Sequence, residues 1–253
     1  MLNPRGTVAG LIGLAWIVST GAVHAQTVDE IVARHVEARG GEARLKAVQT
    51  IKMTRTVAAG IGSALKVTVY KKRPALMRLD QQSTLPGAPM IPRGVNGDGA
   101  WDFVQGKPSP RPTQLSAETR DLDGDFDGPL VDWRAKGHVV TFEGREAMPG
   151  GEALKLKVVM KSGLERMVYL DAKTYLDRRH TGLLNLPGNR QFDVVVTFDA
   201  WREVEGVKFP FDITEERTGK EPVVTLVTYT EKIELNQPMD DVLFNPPPPA
   251  PVK

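Results

Sequence analysis

The sequence predicts an α+β protein that is mainly antiparallel β, and three observations carry that expectation. From about Thr50 onward, apolar residues recur at every second position rather than every third or fourth. The runs so patterned are separated by short turns rich in Gly and Asn. Ahead of them lies one segment with a clear helix start and stop.

That helix opens at Thr27 with Glu30 three residues on, a capping box in which each residue's side chain accepts the other's backbone N–H. Ile31, Val32, His35 and Val36 fall on one face, and Gly40-Gly41 ends the helix. A second short helix is expected near Glu42 to Val48. The strand runs follow in order: IKMTRTVA, ALKVTVYKK, ALMRLDQQ, GAWDFVQ, HVVTFEG, EALKLKVVM, ERMVYLD, TYLDRRH, QFDVVVTFDAW, FDITEERT and PVVTLVTYTEKIEL, ten or eleven strands in all. Asn96-Gly97-Asp98-Gly99, Pro149-Gly150-Gly151, Ser162-Gly163 and Glu205-Gly206 are hairpin signals, and connections this short make neighbours antiparallel. One segment, Lys107 to Arg120, is proline-rich and then helix-like, with Ser116 placed to cap a short helix; it is the candidate for a movable cover. Pro246 to Pro249 form a polyproline stretch, so 246–253 is assigned as an extended tail after a single domain over 26–245.

Several strands are apolar on both sides. In QFDVVVTFD, Phe192, Val194, Val196 and Phe198 share one face while Val195 lies on the other; in PVVTLVTY, Val223, Val227 and Tyr229 oppose Val224 and Leu226. With too few helices to cover both faces, such a sheet exposes apolar surface or curls around a cavity. A completely filled core has the same periodicity.

The first 25 residues read as a secretory leader: Arg5, the uncharged and mostly apolar Thr7 to Thr20, then Val23-His24-Ala25 before Gln26. The apolar run is shorter than the roughly 18 to 20 residues a membrane span needs. The mature protein is expected to be soluble and exported. The chain has no cysteine, so it holds together without disulfides and has neither thiolate ligands nor a cysteine nucleophile. Lysine and arginine (33) nearly balance aspartate and glutamate (31) and are spread along the chain, leaving no nucleic-acid footprint.

Few segments suggest chemistry. DLDGDFDGPLVDW (121–133) spaces aspartates like a calcium loop, but counting from Asp123 the twelfth position is Arg134, where a bidentate glutamate is required. A solvated turn is the expectation, with Gly124 and Gly128 in unusual backbone angles and aspartates bonded to their own backbone. His35, His138 and His180 show no paired metal-binding spacing, and no nucleophile elbow, phosphate loop or dinucleotide fingerprint is present. No catalytic residue, metal or cofactor is assigned. A carboxylate pair assembled by the fold, as in a glycosidase, keeps a hydrolase open as a minor alternative.

Taken in order, LKVTVYKKRPALMRLD, NGDGAWDF and the terminal DDVLFNPPPP resemble the LolA-type periplasmic carriers of outer-membrane lipoproteins. In those carriers a strand ends in Lys-Arg-Pro, an Asp-Gly hairpin with a nearby Trp follows, and the chain closes on Phe-x-x-Pro. GGEARLKAVQTIKMT, FDGPLVDW and VYLDAKTYL are similar to the broader group of outer-membrane lipoprotein-sorting proteins. The resemblance implies an incomplete β-barrel, a strongly curved sheet closed by N-terminal and lid helices around an apolar cavity for acyl chains. It implies that Arg73 hydrogen-bonds the lid, placed near Thr113 to Arg120, and favours the closed state. Trp101, Phe192, Val194, Val196 and Phe198 are the candidate cavity lining. The implied partners are lipoprotein acyl chains or lipid, an inner-membrane exporter and an outer-membrane receptor. The chain is longer than the carriers it resembles and lacks the lipidated cysteine of an anchored relative, so the cargo stays open. A sensor or envelope-protein interaction module on the same fold is the alternative.

Overall fold

The structure is a computed structural model and describes residues 26–59, 64–220 and 222–249. The expected leader and the last residues of the tail lie outside the described residues.

The capping box forms as the sequence predicts. Thr27 Oγ1 accepts from Glu30 N (3.2 Å) and Glu30 Oε2 accepts from Thr27 N (2.9 Å), starting helix α1 (Val28–Ala38). Its apolar stripe buries Ile31, Val32 and His35. At Gly40 the backbone turns left-handed (φ +124°) and lies against the turn at Gly206, whose carbonyl oxygen a Cβ would strike. Lys208 N donates to Arg39 O at 2.9 Å beside it, so this close approach fixes α1 and the following α2 (Glu42–Ala47) on the sheet.

Thirteen strands follow among the described residues: β1 (Thr50–Ala59), β2 (Ala64–Lys72), β3 (Leu76–Ser83), β4 (Met90–Asn96), β5 (Gly99–Val104), β6 (Lys107–Pro110), β7 (Val139–Met148), β8 (Gly151–Val159), β9 (Glu165–Asp171), β10 (Asp177–Leu186), β11 (Arg190–Val204), β12 (Val207–Thr218) and β13 (Val224–Leu235). They form one curved, unclosed antiparallel sheet in the order β6-β5-β4-β3-β2-β1-β13-β12-β11-β10-β9-β8-β7. The strand runs and hairpin turns expected from the sequence account for eleven of these. The other two, β4 and β6, contain prolines, which remove a ladder donor and ordinarily argue against a strand. Pro92 in β4 pairs with Asp80 of β3 just beyond the stretch that β5 pairs, and Pro108 and Pro110 lie on the sheet's edge. TYLDRRH also shortens: Tyr175 sits in a turn with φ 59°, and β10 begins at Asp177.

Between the edge strands β6 and β7 the chain forms α3 (Thr113–Thr119), a π-helical turn (Arg120–Gly124) and a turn-rich stretch to residue 138. Pro112 rather than Ser116 precedes α3. Ser116 is buried inside the helix, where its Oγ accepts from Ala100 N of β5 (2.5 Å). At the other side, Gln114 donates to Ser162 O (3.1 Å) and Asn185 donates to Glu118 (2.8 Å), so α3 bridges the gap between β5 and the β9–β10 side.

Two apolar clusters pack on the concave side. One joins α1 and Leu130 to Leu154, Leu156 and Val158 of β8 and Val168 and Leu170 of β9. The other joins α2 and Phe126 to Ile51, Met53, Val67, Val69, Phe209 and Ile233.

Candidate functional site

Strand alternation sends Met53, Arg55 and Val57 of β1, Leu65, Val67, Val69 and Lys71 of β2, and Val194, Val196 and Phe198 of β11 to the concave face. The helices and the 120–138 segment cover only one end of this face. Beyond them a groove of about 500 Å³ remains, within the range of about 300–1,000 Å³ common for ligand sites. Leu122 and Asp123 of the π-helical turn reach into it. A polar extension of about 270 Å³ continues inward, sharing Met53, Arg55, Lys71 and Phe198 with the groove and adding His35, Asp127 and Asp177.

Of the residues predicted to line a cavity, Val194, Val196 and Phe198 lie on the groove wall. Phe192 is not among the lining residues; it continues the same row and packs against Gly219 near the β11 rim. Trp101 has a different place. Its indole covers Gly94, where a Cβ would come within 2.7 Å of the ring, and its Nε1 donates to Phe244 O (3.1 Å). Trp101 thus pins the short 3-10 turn Asp241–Phe244 to the outer end of the sheet, a structural contact outside the groove.

Arg73 sits just after β2 and joins three pieces of backbone. Its Nε donates to Val48 O and its Nη2 to Leu45 O, both at 2.8 Å, reaching the end of α2. The same guanidinium makes a two-pronged pair with Asp127 (2.7 and 2.8 Å) and stands 4.3 Å from the Phe126 ring centroid. Its partners are therefore α2 and the aspartate segment, not α3, where the lid was expected.

The aspartate segment is not a solvated turn. Asp127 N does donate to Asp125 Oδ1 (3.2 Å), the expected local bond, and Gly128 is left-handed (φ +92°). However, Gly124 is buried in the π-helical turn, and Asp127 is a buried residue. Asp125 Oδ1 accepts from Lys136 (2.6 Å), Asp121 Oδ2 accepts from Ser162 N (2.8 Å), and Asp123 lies 3.5 Å from Arg93. Each carboxylate has found a cation or N–H for at least one oxygen, although Asp125 Oδ2 is buried without a partner, and this pairing is what allows the segment to plug the covered end of the barrel.

Two features were not legible in the sequence. The first is His35–Asp177–His180. His35 Nδ1 lies 2.9 Å from Tyr175 O and 3.9 Å from Asp177 Oδ2, and His180 Nε2 lies 2.9 Å from Asp177 Oδ1. Burial pushes the His35 pKa below its ordinary value. Burial alone would raise the Asp177 carboxyl, but the charge of His35 and the hydrogen bond to His180 outweigh it and hold it well below the usual carboxylate range. The second is the set of cations in the groove, Arg55 and Lys71 from the paired strands β1 and β2 and Arg166 from the sequence-remote β9.

No family model matches the sequence and no curated protein is similar to it. Solved structures do match. A LolA superfamily protein from Nitrosomonas europaea superposes with a TM-score of 0.57 at 14% identity, covering 88% of this chain and 99% of that one. A domain from Vibrio parahaemolyticus named as an outer membrane lipoprotein-sorting protein superposes with a TM-score of 0.57 at 9% identity, covering 87% of this chain and 97% of the other. The open thirteen-stranded sheet, its helical plug and these superpositions together give this chain a LolA-like fold.

Proposed function

We propose that the protein is a soluble periplasmic carrier that holds acyl chains of lipoproteins or lipids in its groove during transfer toward the outer membrane. The observation that supports this most is the row of inward aliphatic side chains, including Val57, Leu65, Leu79, Val196 and Leu226, lining a hollow that no other side chain among the described residues fills. A buried methylene gains about 0.8 kcal/mol on leaving water, so an acyl chain of moderate length has enough to gain. Among the described residues no helix is long and apolar enough to cross a membrane. The sequence pattern of residues 1–25 supports export. An inner-membrane exporter would load the carrier and an outer-membrane receptor unload it.

Arg73 acts in this scheme as the clamp on the plug. Its bonds to Asp127, Leu45 and Val48 tie the aspartate segment to α2. Hydrogen bonds to a charged group contribute about 1.5–3 kcal/mol each. A cargo that displaces the plug must overcome them, which keeps binding weak enough for release.

The experiment is to isolate the protein from the periplasm, extract it for mass spectrometry, and titrate the emptied protein with a fluorescent fatty acid. Acylated species in the extract and saturable uptake are the expected result. An extract free of apolar species together with no uptake overturns the carrier function. In Arg73→Leu, checked for folding by circular dichroism, loading and release rates should change; unchanged rates remove the clamp from the mechanism.

A further inference from the structure

The lining of the groove is mostly apolar, with Gln81, His180 and Thr228 as further polar groups, and it carries a set of charges that do not balance. Among the described residues five cations face it, Arg55, Lys71, Arg93, Arg166 and Arg217, against two carboxylates, Asp123 and Glu215. Both carboxylates are already occupied: Asp123 lies 3.5 Å from Arg93, and Glu215 accepts from Arg217 Nε at 2.5 Å. Among the described residues, Arg55, Lys71 and Arg166 have no carboxylate within ion-pair distance.

What these three do have falls short of what a buried charge needs. Arg55 interrupts the inward row Ile51, Met53, Val57; its Nη2 reaches only the Met53 sulfur (2.8 Å), a weak acceptor, and its Nε is out of reach of solvent with no partner. Arg166 is 6% exposed, and its Nη1 donates to the Leu183 carbonyl (2.7 Å). Lys71 Nζ donates to the Asp125 carbonyl (2.6 Å). The more distant acids Asp123 and Asp125 favour charge on Lys71, and Glu215, Glu118 and Asp123 favour it on Arg166. Burial nevertheless outweighs them: it lowers the pKa of Lys71 and of Arg166, and takes Arg55 down to about 10. Arg55 and Lys71 also repel each other across the groove floor. Of the acids of the inner extension, Asp127 is held by Arg73, Asp177 by His180, Asp121 by the Ser162 N–H and Asp125 Oδ1 by Lys136, while Asp125 Oδ2 is buried without a partner of its own. An apolar trough whose floor carries under-satisfied cations lacks one thing, an anion that comes attached to an apolar chain.

We infer that the groove takes an amphiphile with an anionic head, a carboxylate or phosphate ester, whose head is held by Arg55, Lys71 and Arg166 while its chain lies along the aliphatic wall. This rests on the acyl-binding function proposed above and narrows its cargo to acidic lipids.

The test is equilibrium dialysis of the protein against radiolabelled laurate, methyl laurate, dodecyl phosphate and inorganic phosphate. Laurate and dodecyl phosphate should bind at least about tenfold more tightly than methyl laurate, the factor expected for one charge-assisted hydrogen bond. Arg55→Met should erase that preference while leaving methyl laurate binding in place, and Arg55→Lys should retain it. Arg166→Met is the second variant, read in the same way if the first does not fold. Equal affinity for laurate and its methyl ester overturns the head-group site and leaves the carrier standing. Binding of neither overturns the carrier and this inference together. Inorganic phosphate binding as tightly as dodecyl phosphate overturns the inference in favour of a free-anion site.

Discussion

Strands β8 and β2 carry the same inward alternation and end in opposite conditions. Leu154, Leu156 and Val158 of β8 are wholly buried, because Ile31 and Val32 of α1 and Leu130 of the plug lie on top of them. In β2, Val67 and Val69 are buried, but Leu65, two residues further toward the rim, is only partly covered and lines the groove. Strand β1 shows the same gradient, from buried Ile51 and Met53 to partly open Arg55 and Val57. The difference lies in what is laid over each strand, not in the strand itself. Two short helices and one loop segment suffice to cover half of a concave sheet, and the half they leave bare is the groove.

The largest test of that contrast is Leu156→Ala. It opens a cavity in the filled half and should cost about 2–5 kcal/mol in urea unfolding. A loss below about 1 kcal/mol would mean that the β8 side is as loosely packed as the groove.

A second test uses pH, because His35 anchors α1 to the filled half through the Tyr175 carbonyl. Its pKa is lowered by burial, with Arg39 and His180 adding to the effect and Asp177 and the Tyr175 carbonyl opposing it. Below about pH 6.5, the ordinary histidine value, the unfolded chain binds a proton there that the folded chain refuses. Stability should therefore be level above that pH and fall below it, with a slope reaching about 1.4 kcal/mol per pH unit for one group. His138, also lowered by burial, adds to the same limb. Asp177 acts in a lower range: its depressed pKa gives stability that is present above about pH 3.9 and lost as the pH falls further. Urea midpoints at pH 7.5 and 5.5 should differ, and His35→Gln should reduce the difference. An unchanged difference would assign the slope elsewhere.

The smallest effect on stability belongs to Leu65→Ala in the open half, about 1 kcal/mol or less, because the side chain is only partly covered in the empty protein. Its consequence should appear instead in weaker uptake of a fluorescent fatty acid. Equal stability losses at Leu65 and Leu156 would remove the distinction between wall and core.

Much of the architecture was legible from local rules. The capping box at Thr27 and Glu30, the glycine stop at Gly40, and hairpins such as Asn96 to Gly99 each depend on a few neighbouring residues. Strands β4 and β6 were not, because their prolines are tolerated only where no neighbour needs the missing donor, and pairing partners are set by the whole sheet. The row Val194, Val196 and Phe198 could be placed on one face by period, but period does not say which face is concave, and it set Phe192 in the same group. Asp127 read as a surface acid because its partner, Arg73, is distant in sequence. Arg55, Lys71 and Arg166 gave no signal because a lone cation in a strand is unremarkable until the curvature turns it, with others, toward one groove.

One feature of the topology bears on how the chain reaches this state. The first and last strands lie side by side at the middle of the sheet, where Ile51 pairs with Leu235, so the central seam needs both ends of the polypeptide at once. Pairings between segments so remote are slow to form. The β8–β9 hairpin and its neighbours can fold from nearby sequence, whereas the seam that joins the two halves of the sheet closes only after the last strand has been delivered.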